Sequence, residues 1–270
     1  MKTIHFCKYH GAGNDFVLID NRNNNISLSD EEVSLLCHRR LGIGADGLMI
    51  LQHSNNTDFE MVYYNSDGHR ASMCGNGGRC IVAFAKHLGI IDQQTTFEAY
   101  DGRHWAEIVE WNNCCGVVKL GMEISTNIEP CLKGWKVDTG SPHYVELITD
   151  DIAQYDVVGN GRQLRYHDAF QPWGTNVDFV SKINDNEIFA ATYERGVEDE
   201  TLSCGTGVTA SALIFDQRNN TSNGYHEVKV HTKGGLFSVY FQKDNGTYSH
   251  IFLQGPVTLV FEGDATLPEL

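Results

Sequence analysis

Two cysteines, Cys74 and Cys204, each open the tetrapeptide Cys-Gly-Xaa-Gly, and they stand 130 positions apart. In both copies a strand-like segment precedes the cysteine and an apolar, helix-like segment follows it. A thiol at the start of a helix lies in the positive end of the helix dipole, which favours the thiolate. The repeat therefore predicts two equivalent acid/base groups, one in each half of the chain, that face each other across a cleft.

Two such thiols suit the inversion of a carbon stereocentre. A single rigid base would return the proton to the face from which it was taken, so inversion needs an ionised group on one face and a protonated group on the other. The glycines remove side-chain bulk, so that backbone N–H groups at each helix start can approach a carboxylate and stabilise the carbanion beside it. These residue types suffice for racemisation at an amino-acid alpha carbon without a cofactor.

The composition excludes several other classes of protein. The net charge of −15 makes nucleic acid a poor partner. No run approaches the roughly 18 apolar residues of a membrane helix, and the N-terminus lacks the apolar stretch of a signal peptide, so we expect a cytoplasmic protein. Its eight cysteines are then expected to be reduced, and the absence of a Cys-x-x-Cys pair argues against structural zinc. Whether the chain forms a homodimer is left open.

Apolar periodicity predicts an α+β fold with many strands and few helices. The predicted helices cover residues 29–41, with a capping box from Ser29 to Glu32, and residues 76–88 and 206–218. The second and third are apolar nearly all round, which indicates burial on every side. The predicted strands cover residues 16–20, 48–52, 59–65, 104–111, 116–122, 143–148, 176–183, 187–194, 227–232, 236–242, 251–254 and 257–262.

These elements predict two pseudo-symmetric domains, each a β-barrel-like sheet wrapped around a central buried helix. We place the first in residues 1–120, with Cys74, and the second in residues 121–270, with Cys204, and the boundary falls within residues 121–130. Residues 42–47 match G-x-G-x-x-G, but a helix precedes them and a strand follows. This order is the reverse of a dinucleotide site and indicates a tight connection.

Several segments together resemble diaminopimelate epimerase. They are residues 10–16, 40–47, 65–68, 73–80, 140–143, 194–196 and 204–207, and they occur in the order and over the length typical of that family. The resemblance implies two barrel-like domains with the site between them, and a last strand, near residues 257–262, that returns to the first domain. It also implies diaminopimelate as the substrate, with neither pyridoxal phosphate nor a metal.

The resemblance also implies roles for individual residues. Cys74 and Cys204 would be the acid/base pair, and His143 and Glu194 would orient and tune the two thiols, with Glu194 also at the substrate. The reacting carboxylate would be held by backbone N–H groups of Gly75, Asn76, Gly205 and Thr206. Asn14 would contact the reacting end, and the far end of the substrate would meet Asn65, Asn176 and Arg195.

Three departures from the family pattern bear on the substrate. Gly47 stands where many members have Gln, Ser141 stands where many have Asn, and the spacer of residues 197–200 lacks the usual glycine. The main alternative is a racemase of proline, hydroxyproline or histidine with the same two thiols. An isomerase that uses carboxylates is a second alternative, and a binding module or thiol redox protein on the same scaffold is a third.

Overall fold

The computed structural model describes residues 2–122, 124 and 127–268, and the chain divides into two compact units. The first unit contains residues 1–120 and 256–270, and the second contains residues 121–255. Positions 123, 125 and 126 of the predicted boundary segment lie outside the described residues. No described helix is both long enough and apolar enough to cross a membrane.

Eight described strands form the sheet of the first unit. They are β1 (Lys2–Gly11), β2 (Asn14–Asp20), β3 (Gly47–Gln52), β4 (Phe59–Asn65), β5 (Gln94–Ala99), β6 (Gly102–Asn112), β7 (Cys115–Gly121) and the second half of β16 (Thr247–Leu267). Each strand pairs with the next in that order, and β16 also pairs antiparallel with β1, from Lys2 opposite Leu267 to His10 opposite Thr258. The last pairing closes the sheet into a barrel.

One helix fills this barrel. Helix α2 (Gly75–His87) is buried from Gly75 to Ala85 and contacts β1, β2, β3 and β6. Its glycines make these contacts possible, because a Cβ at Gly78 would come within 2.9 Å of the Leu120 side chain. Helix α1 (Asp30–Cys37) instead packs on the outer face of the barrel, against Ile4, Val17 and Leu48.

The second unit contains an open sheet around a second buried helix. Its strands are β8 (Glu129–Cys131), β9 (Gly134–Asp138), β10 (Pro142–Ile148), β11 (Asn176–Asn184), β12 (Glu187–Glu194), β13 (Asp199–Thr201), β14 (Gly224–Thr232), β15 (Gly235–Asp244) and the first half of β16. The order is β16-β15-β14-β12-β11-β10-β9-β8, with β13 beside β12, and no pairing among the described strands joins β8 to β16.

Helix α4 (Gly205–Asn219) crosses the inner face of this second sheet. Gly205 and residues 207–216 are buried, and the helix contacts β9, β10, β11, β12, β14 and β15. Helix α3 (Val157–Arg165) covers the opposite face, where Val157 packs with Tyr144, Phe179 and Tyr193. Each sheet therefore has a buried helix on one face and a smaller helix on the other.

The α+β class with barrel-like sheets is confirmed, and some of the predicted elements need correction. The capping box of α1 forms as predicted, since the Ser29 N–H donates to Glu32 and the Glu32 N–H donates to Ser29. This helix ends at Cys37 instead of residue 41, because His38 takes an extended conformation. The two predicted strands at residues 251–254 and 257–262 are one strand, β16.

Pro256 interrupted the strand pattern and led to that error. Proline lacks an N–H group, so it is tolerated in a strand only where no ladder bond is required. Gln254 is the last β16 residue paired with β15, and Thr258 is the first paired with β1. Pro256 lies where the strand changes partner, and a continuous strand can include it there.

Gly47 has a packing role in β3. A Cβ at this position would come within 2.6 Å of the Tyr63 ring and 2.7 Å of the Tyr64 carbonyl oxygen. Gly263 in β16 is a matched position, because its Cβ would meet nothing closer than 3.7 Å and neither glycine has a positive φ.

We predict that Gly47→Ala lowers the free energy of unfolding by about 1–3 kcal/mol through overpacking. Gly263→Ala should leave it unchanged or slightly raised. Thermal and urea unfolding of the two variants measure the difference. Equal stability of the two variants would contradict this account of the packing around Gly47.

An ion-pair network ties β1 and β2 to the segment before β3. Lys8 and Arg39 lie 2.7 and 2.8 Å from the Asp15 carboxylate, and Arg39 also lies 2.6 Å from Asp46. Burial alone would raise the pKa of Asp15, but hydrogen bonds and charge from Arg39 and Lys8 hold it well below its usual value. The network therefore stabilises the fold while Asp15 is ionised.

We predict that Asp15→Asn lowers the unfolding temperature at pH 7. The difference in unfolding temperature between the variant and the unmodified protein should become smaller as the pH falls below about 4. The pKa is lower in the folded protein, so the stabilisation is complete above the unfolded value of about 3.9 and is lost below it. Asp92→Asn is the control, because Asp92 pairs with Lys86 at 2.7 Å on an exposed surface. A difference that stays constant with pH would contradict the assignment.

Candidate active site

The structure places Cys74 at the N-cap of α2, where the chain leaves an extended conformation and turns into the helix. The first bond of the helix runs from the Gly78 N–H to the Cys74 carbonyl oxygen at 2.7 Å. The earlier N–H groups of an α-helix have no partner within the helix, and they carry its positive partial charge. The described first turn contains no acidic residue, and Lys86 and His87 lie in the last turn. An anion at this N-terminus is therefore favoured.

Asn14 and Asn76 lie beside the Cys74 thiol. The Asn14 side-chain oxygen is 3.8 Å from the Cys74 sulfur and accepts from the Asn76 amide at 3.4 Å. The Asn14 amide donates to Asp46 at 2.7 Å, which fixes the direction of the side chain. Four predicted residues, Cys74, Gly75, Asn76 and Asn14, thus come together in the first unit.

A buried cation, which sequence reasoning missed, lies under this helix start. Arg79 is fully buried, and its guanidinium donates to the Gly75 carbonyl oxygen at 3.0 Å and to the Asn76 side chain at 2.7 Å. Burial lowers the pKa of Arg79 to about 10, and electrostatic interaction with Cys80 and Cys74 acts in the opposite direction. A guanidinium with this pKa stays protonated at neutral pH, and a positive charge near a sulfur favours its thiolate form.

Asn65 occupies a different position in the first unit. It is the last residue of β4, exposed, and paired with Gly47 across the sheet. Its backbone closes a turn with Gly68 and His69. The described hydrogen bonds do not connect it to the cluster around Cys74, so its predicted contact with the far end of the substrate stays a prediction.

The second unit places Cys204 at the N-cap of α4 and leaves it 8% exposed. Its sulfur lies 3.3 Å from the Thr206 hydroxyl, which lies 2.8 Å from Nε2 of His143. The first helical bond runs from the Val208 N–H to the Cys204 carbonyl oxygen at 2.8 Å. Three predicted residues, Cys204, Thr206 and His143, are therefore joined in one line.

The charges around Cys204 differ from those around Cys74. Burial raises the pKa of Cys204 well above its usual value, and the negative charges of Glu194 and Asp178 raise it further. The Thr206 hydroxyl and the Gly207 N–H act in the opposite direction, but they do not overcome the burial. Cys204 is accordingly a neutral thiol at neutral pH in this structure, and it can serve as a proton donor.

Asn176 connects three neighbouring residues of this unit, of which Arg195 is also a predicted site residue. Its amide donates to the Ser141 hydroxyl at 3.1 Å and to the Pro142 carbonyl oxygen at 3.0 Å, and its oxygen accepts from the Arg195 N–H at 2.9 Å. The Arg195 guanidinium donates to the Trp173 carbonyl oxygen at 3.2 Å. The Ser141 hydroxyl bridges the Asn176 amide to the hydroxyl of Thr206, from which it lies 3.2 Å.

Sequence reasoning also missed Asp178 in this unit. Its carboxylate is fully buried on β11, where it lies 2.6 Å from Nδ1 of His143 and accepts from the Thr192 hydroxyl at 2.6 Å. Gly207 makes room for it, since a Cβ there would come within 2.4 Å of an Asp178 oxygen. An acid between Val177 and Phe179 in an apolar strand was the available signal, because buried carboxylates need partners.

One described group of side chains has metal-ligand types, away from both cysteine motifs. His5, Cys7 and Glu262 place ligand atoms within 4.8 Å of one another on the β1–β16 pair. Their contacts within the protein account for this arrangement, because Cys7 donates to Glu262 at 3.9 Å and His5 lies 3.0 Å from Asp264.

Comparison with known proteins identifies the family. The diaminopimelate epimerase family profile matches residues 6–122 and 135–260. The diaminopimelate epimerase of Flavobacterium psychrophilum is 44% identical over 94% of this chain and 97% of its own length.

Solved structures of other proteins share the fold of this chain. A Bacillus anthracis phenazine biosynthesis protein of the PhzF family superposes with a TM-score of 0.77 at 16% identity, over 99% of this chain and 100% of its own. A probable proline racemase from Agrobacterium radiobacter gives 0.67 at 16% identity, over 98% and 93%. The structures establish the fold, and the family profile together with the close sequence relative establishes that the chain belongs to the diaminopimelate epimerase family.

Proposed function

We propose that this protein converts LL-diaminopimelate to meso-diaminopimelate by a two-base reaction, in which Cys74 and Cys204 act on the same alpha carbon. The observation that carries the proposal is the matched position of the two cysteines. Each caps a buried helix that begins with glycine, in a chain of the diaminopimelate epimerase family. The product would serve the synthesis of lysine and of cell-wall precursors.

The reaction begins with removal of the alpha proton by a thiolate. The electron pair left on carbon spreads into the adjacent carboxylate and gives an enediolate-like intermediate. Backbone N–H groups of Gly75, Asn76, Gly205 and Thr206 would bind that carboxylate, where they stabilise charge as it develops. The second sulfur then donates its proton to the opposite face of the carbon, and inversion is complete.

The electrostatics of the two units suit opposite roles for the two thiols. Arg79 places a buried positive charge beside the start of α2, and the pKa of Cys204 is raised by burial and by nearby negative charge. Groups whose surroundings drive their ionisation apart commonly divide the acid and base roles. Cys74 would be the resting thiolate and Cys204 the resting thiol, and each turnover exchanges these states.

Arg195 and Asn176 support a substrate with a second charged end. The Arg195 guanidinium has five N–H donors and uses one at Trp173, so donors are left for a carboxylate. Asn176 lies against Arg195 and would assist, as would Asn65 from the first unit. Proline and hydroxyproline have no second carboxylate, so neither substrate would offer a group for Arg195 to bind.

We predict that Cys74→Ala and Cys204→Ala each lower the rate of epimerisation by at least about 10²–10⁴-fold, because each removes one acid/base group. Deuterium incorporation from solvent into diaminopimelate measures exchange of the alpha hydrogen, and separation of the LL and meso isomers measures inversion. Cys114→Ala is the matched control, since Cys114 is an exposed thiol in the β6–β7 turn. Full activity of either alanine variant at position 74 or 204 would refute the two-base scheme.

Activity of the wild type on proline, hydroxyproline or histidine instead of diaminopimelate would favour the alternative function, a racemase of one of those amino acids.

We predict a bell-shaped pH profile whose basic side is displaced upward. One thiol must be ionised and the other protonated, so kcat/KM falls at both extremes, and the apparent values belong to the pair. The raised pKa of Cys204 keeps its proton in place above the ordinary thiol value of about 8.5. Initial rates across the pH range with either stereoisomer test this. A decline that begins below about pH 8 would contradict the assignment of Cys204 as the resting acid.

A further inference from the structure

A line of hydrogen bonds runs from the Cys204 thiol to a buried carboxylate. The steps are Cys204 Sγ to Thr206 Oγ1 at 3.3 Å, Thr206 Oγ1 to His143 Nε2 at 2.8 Å, and His143 Nδ1 to Asp178 Oδ2 at 2.6 Å. Both His143 and Asp178 are 0% exposed. Water therefore does not compete for the two inner members of the line.

The carboxylate fixes the direction of every bond in this line. An ionised Asp178 can only accept, so Nδ1 of His143 carries the proton and Nε2 of the neutral ring is an acceptor. Thr206 then donates to Nε2 and keeps a lone pair for the S–H of Cys204. The Thr192 hydroxyl, opposite Asp178 in the β11–β12 register, donates to the other carboxylate oxygen at 2.6 Å and holds the group in place.

Two neighbours compete for Nε2 of His143. The Ser141 hydroxyl lies 3.1 Å from it and the Asn176 amide lies 3.4 Å from it, both farther than Thr206. The Asn176 amide also donates to the Ser141 oxygen at 3.1 Å, and this leaves the Ser141 proton free to point at Thr206 Oγ1, 3.2 Å away. The shortest contact with Nε2 therefore belongs to Thr206.

We propose that Asp178 is a positioning residue that turns Thr206 and His143 into a proton relay for Cys204. This inference rests on the proposed epimerase function. In the relay the S–H proton moves to Thr206 Oγ1 while the Thr206 hydroxyl proton moves to His143 Nε2. The products are a Cys204 thiolate and a His143 imidazolium, with no change in net charge, and the Asp178 carboxylate stabilises the imidazolium. The reverse transfer restores the thiol.

The surroundings of Cys204 show why such a relay is useful. Burial, Glu194 and Asp178 together raise the pKa of Cys204, so a lone thiolate there is unfavourable. Epimerisation in one direction nevertheless requires Cys204 to act as the base. An imidazolium two hydrogen bonds away supplies the compensating positive charge. The charged groups that act on the Cys204 thiol are Glu194 on β12 and Asp178 on β11, and His143 is the titratable group within the line itself.

The test uses Asp178→Asn, which keeps the size of the side chain and removes its charge. We expect kcat/KM for diaminopimelate to fall by about 10²–10⁴-fold in both directions, with a smaller change in KM. The acidic side of the pH profile should move to lower pH, because the imidazolium has lost its anionic partner. Thr192→Val is the matched control, since it removes a hydrogen bond to Asp178 but keeps the carboxylate beside His143, and it should cause a smaller loss without that displacement.

A second measurement depends on neither activity nor a variant. Nitrogen-15 NMR of His143 in the substrate-free wild type should show the proton on Nδ1 and an unprotonated Nε2 at neutral pH. A proton on Nε2 would overturn the relay, as would an Asp178→Asn enzyme that is fully active or uniformly slow with an unmoved pH profile. A wild type that exchanges no alpha hydrogen of diaminopimelate would instead refute the proposed function, whatever the state of His143.

Discussion

A helix that begins inside a sheet needs room for its first turn and partners for its first N–H groups, and this constraint shapes both units. Glycine at positions 77, 78 and 207 provides the room. A Cβ at Gly207 would overlap Asp178, and one at Gly78 would crowd Leu120. These glycines have no side chain, so backbone N–H groups at the helix start are accessible, and an anion is favoured there. Packing of the helix and formation of the anion site are therefore two results of one sequence feature.

The two units share this design but differ in buried charge. The first places the guanidinium of Arg79 under the start of α2, and the second places the carboxylate of Asp178 beside the start of α4. Burial and negative charge raise the pKa of Cys204, and we propose that the cation beside the start of α2 favours the thiolate of Cys74. The proposed two-base reaction needs one thiolate and one thiol at a time, since two thiolates could not donate and two thiols could not accept.

Local patterns in the sequence were enough to predict the buried helices, the capping box and the cysteine motifs. Glycine placement and apolar periodicity specify these features within about a dozen residues. The closure of the first barrel depends on Lys2 pairing with Leu267, at opposite ends of the chain, and no local pattern encodes that register. The roles of Arg79 and Asp178 stayed hidden for the same reason, because a buried charge has meaning only through its partners. Asp178 acquires its partner His143 from a strand 35 positions away.

Our central proposal is that the two cysteines divide the base and acid roles at rest, with the thiolate at Cys74 and the proton at Cys204. Alkylation of each cysteine by iodoacetamide over a range of pH, followed residue by residue by mass spectrometry, tests it directly, because the midpoint of the pH dependence does not depend on how accessible the sulfur is. Our account predicts that the midpoint for Cys74 lies below that for Cys204. Coincident midpoints, or the reverse order, would contradict it.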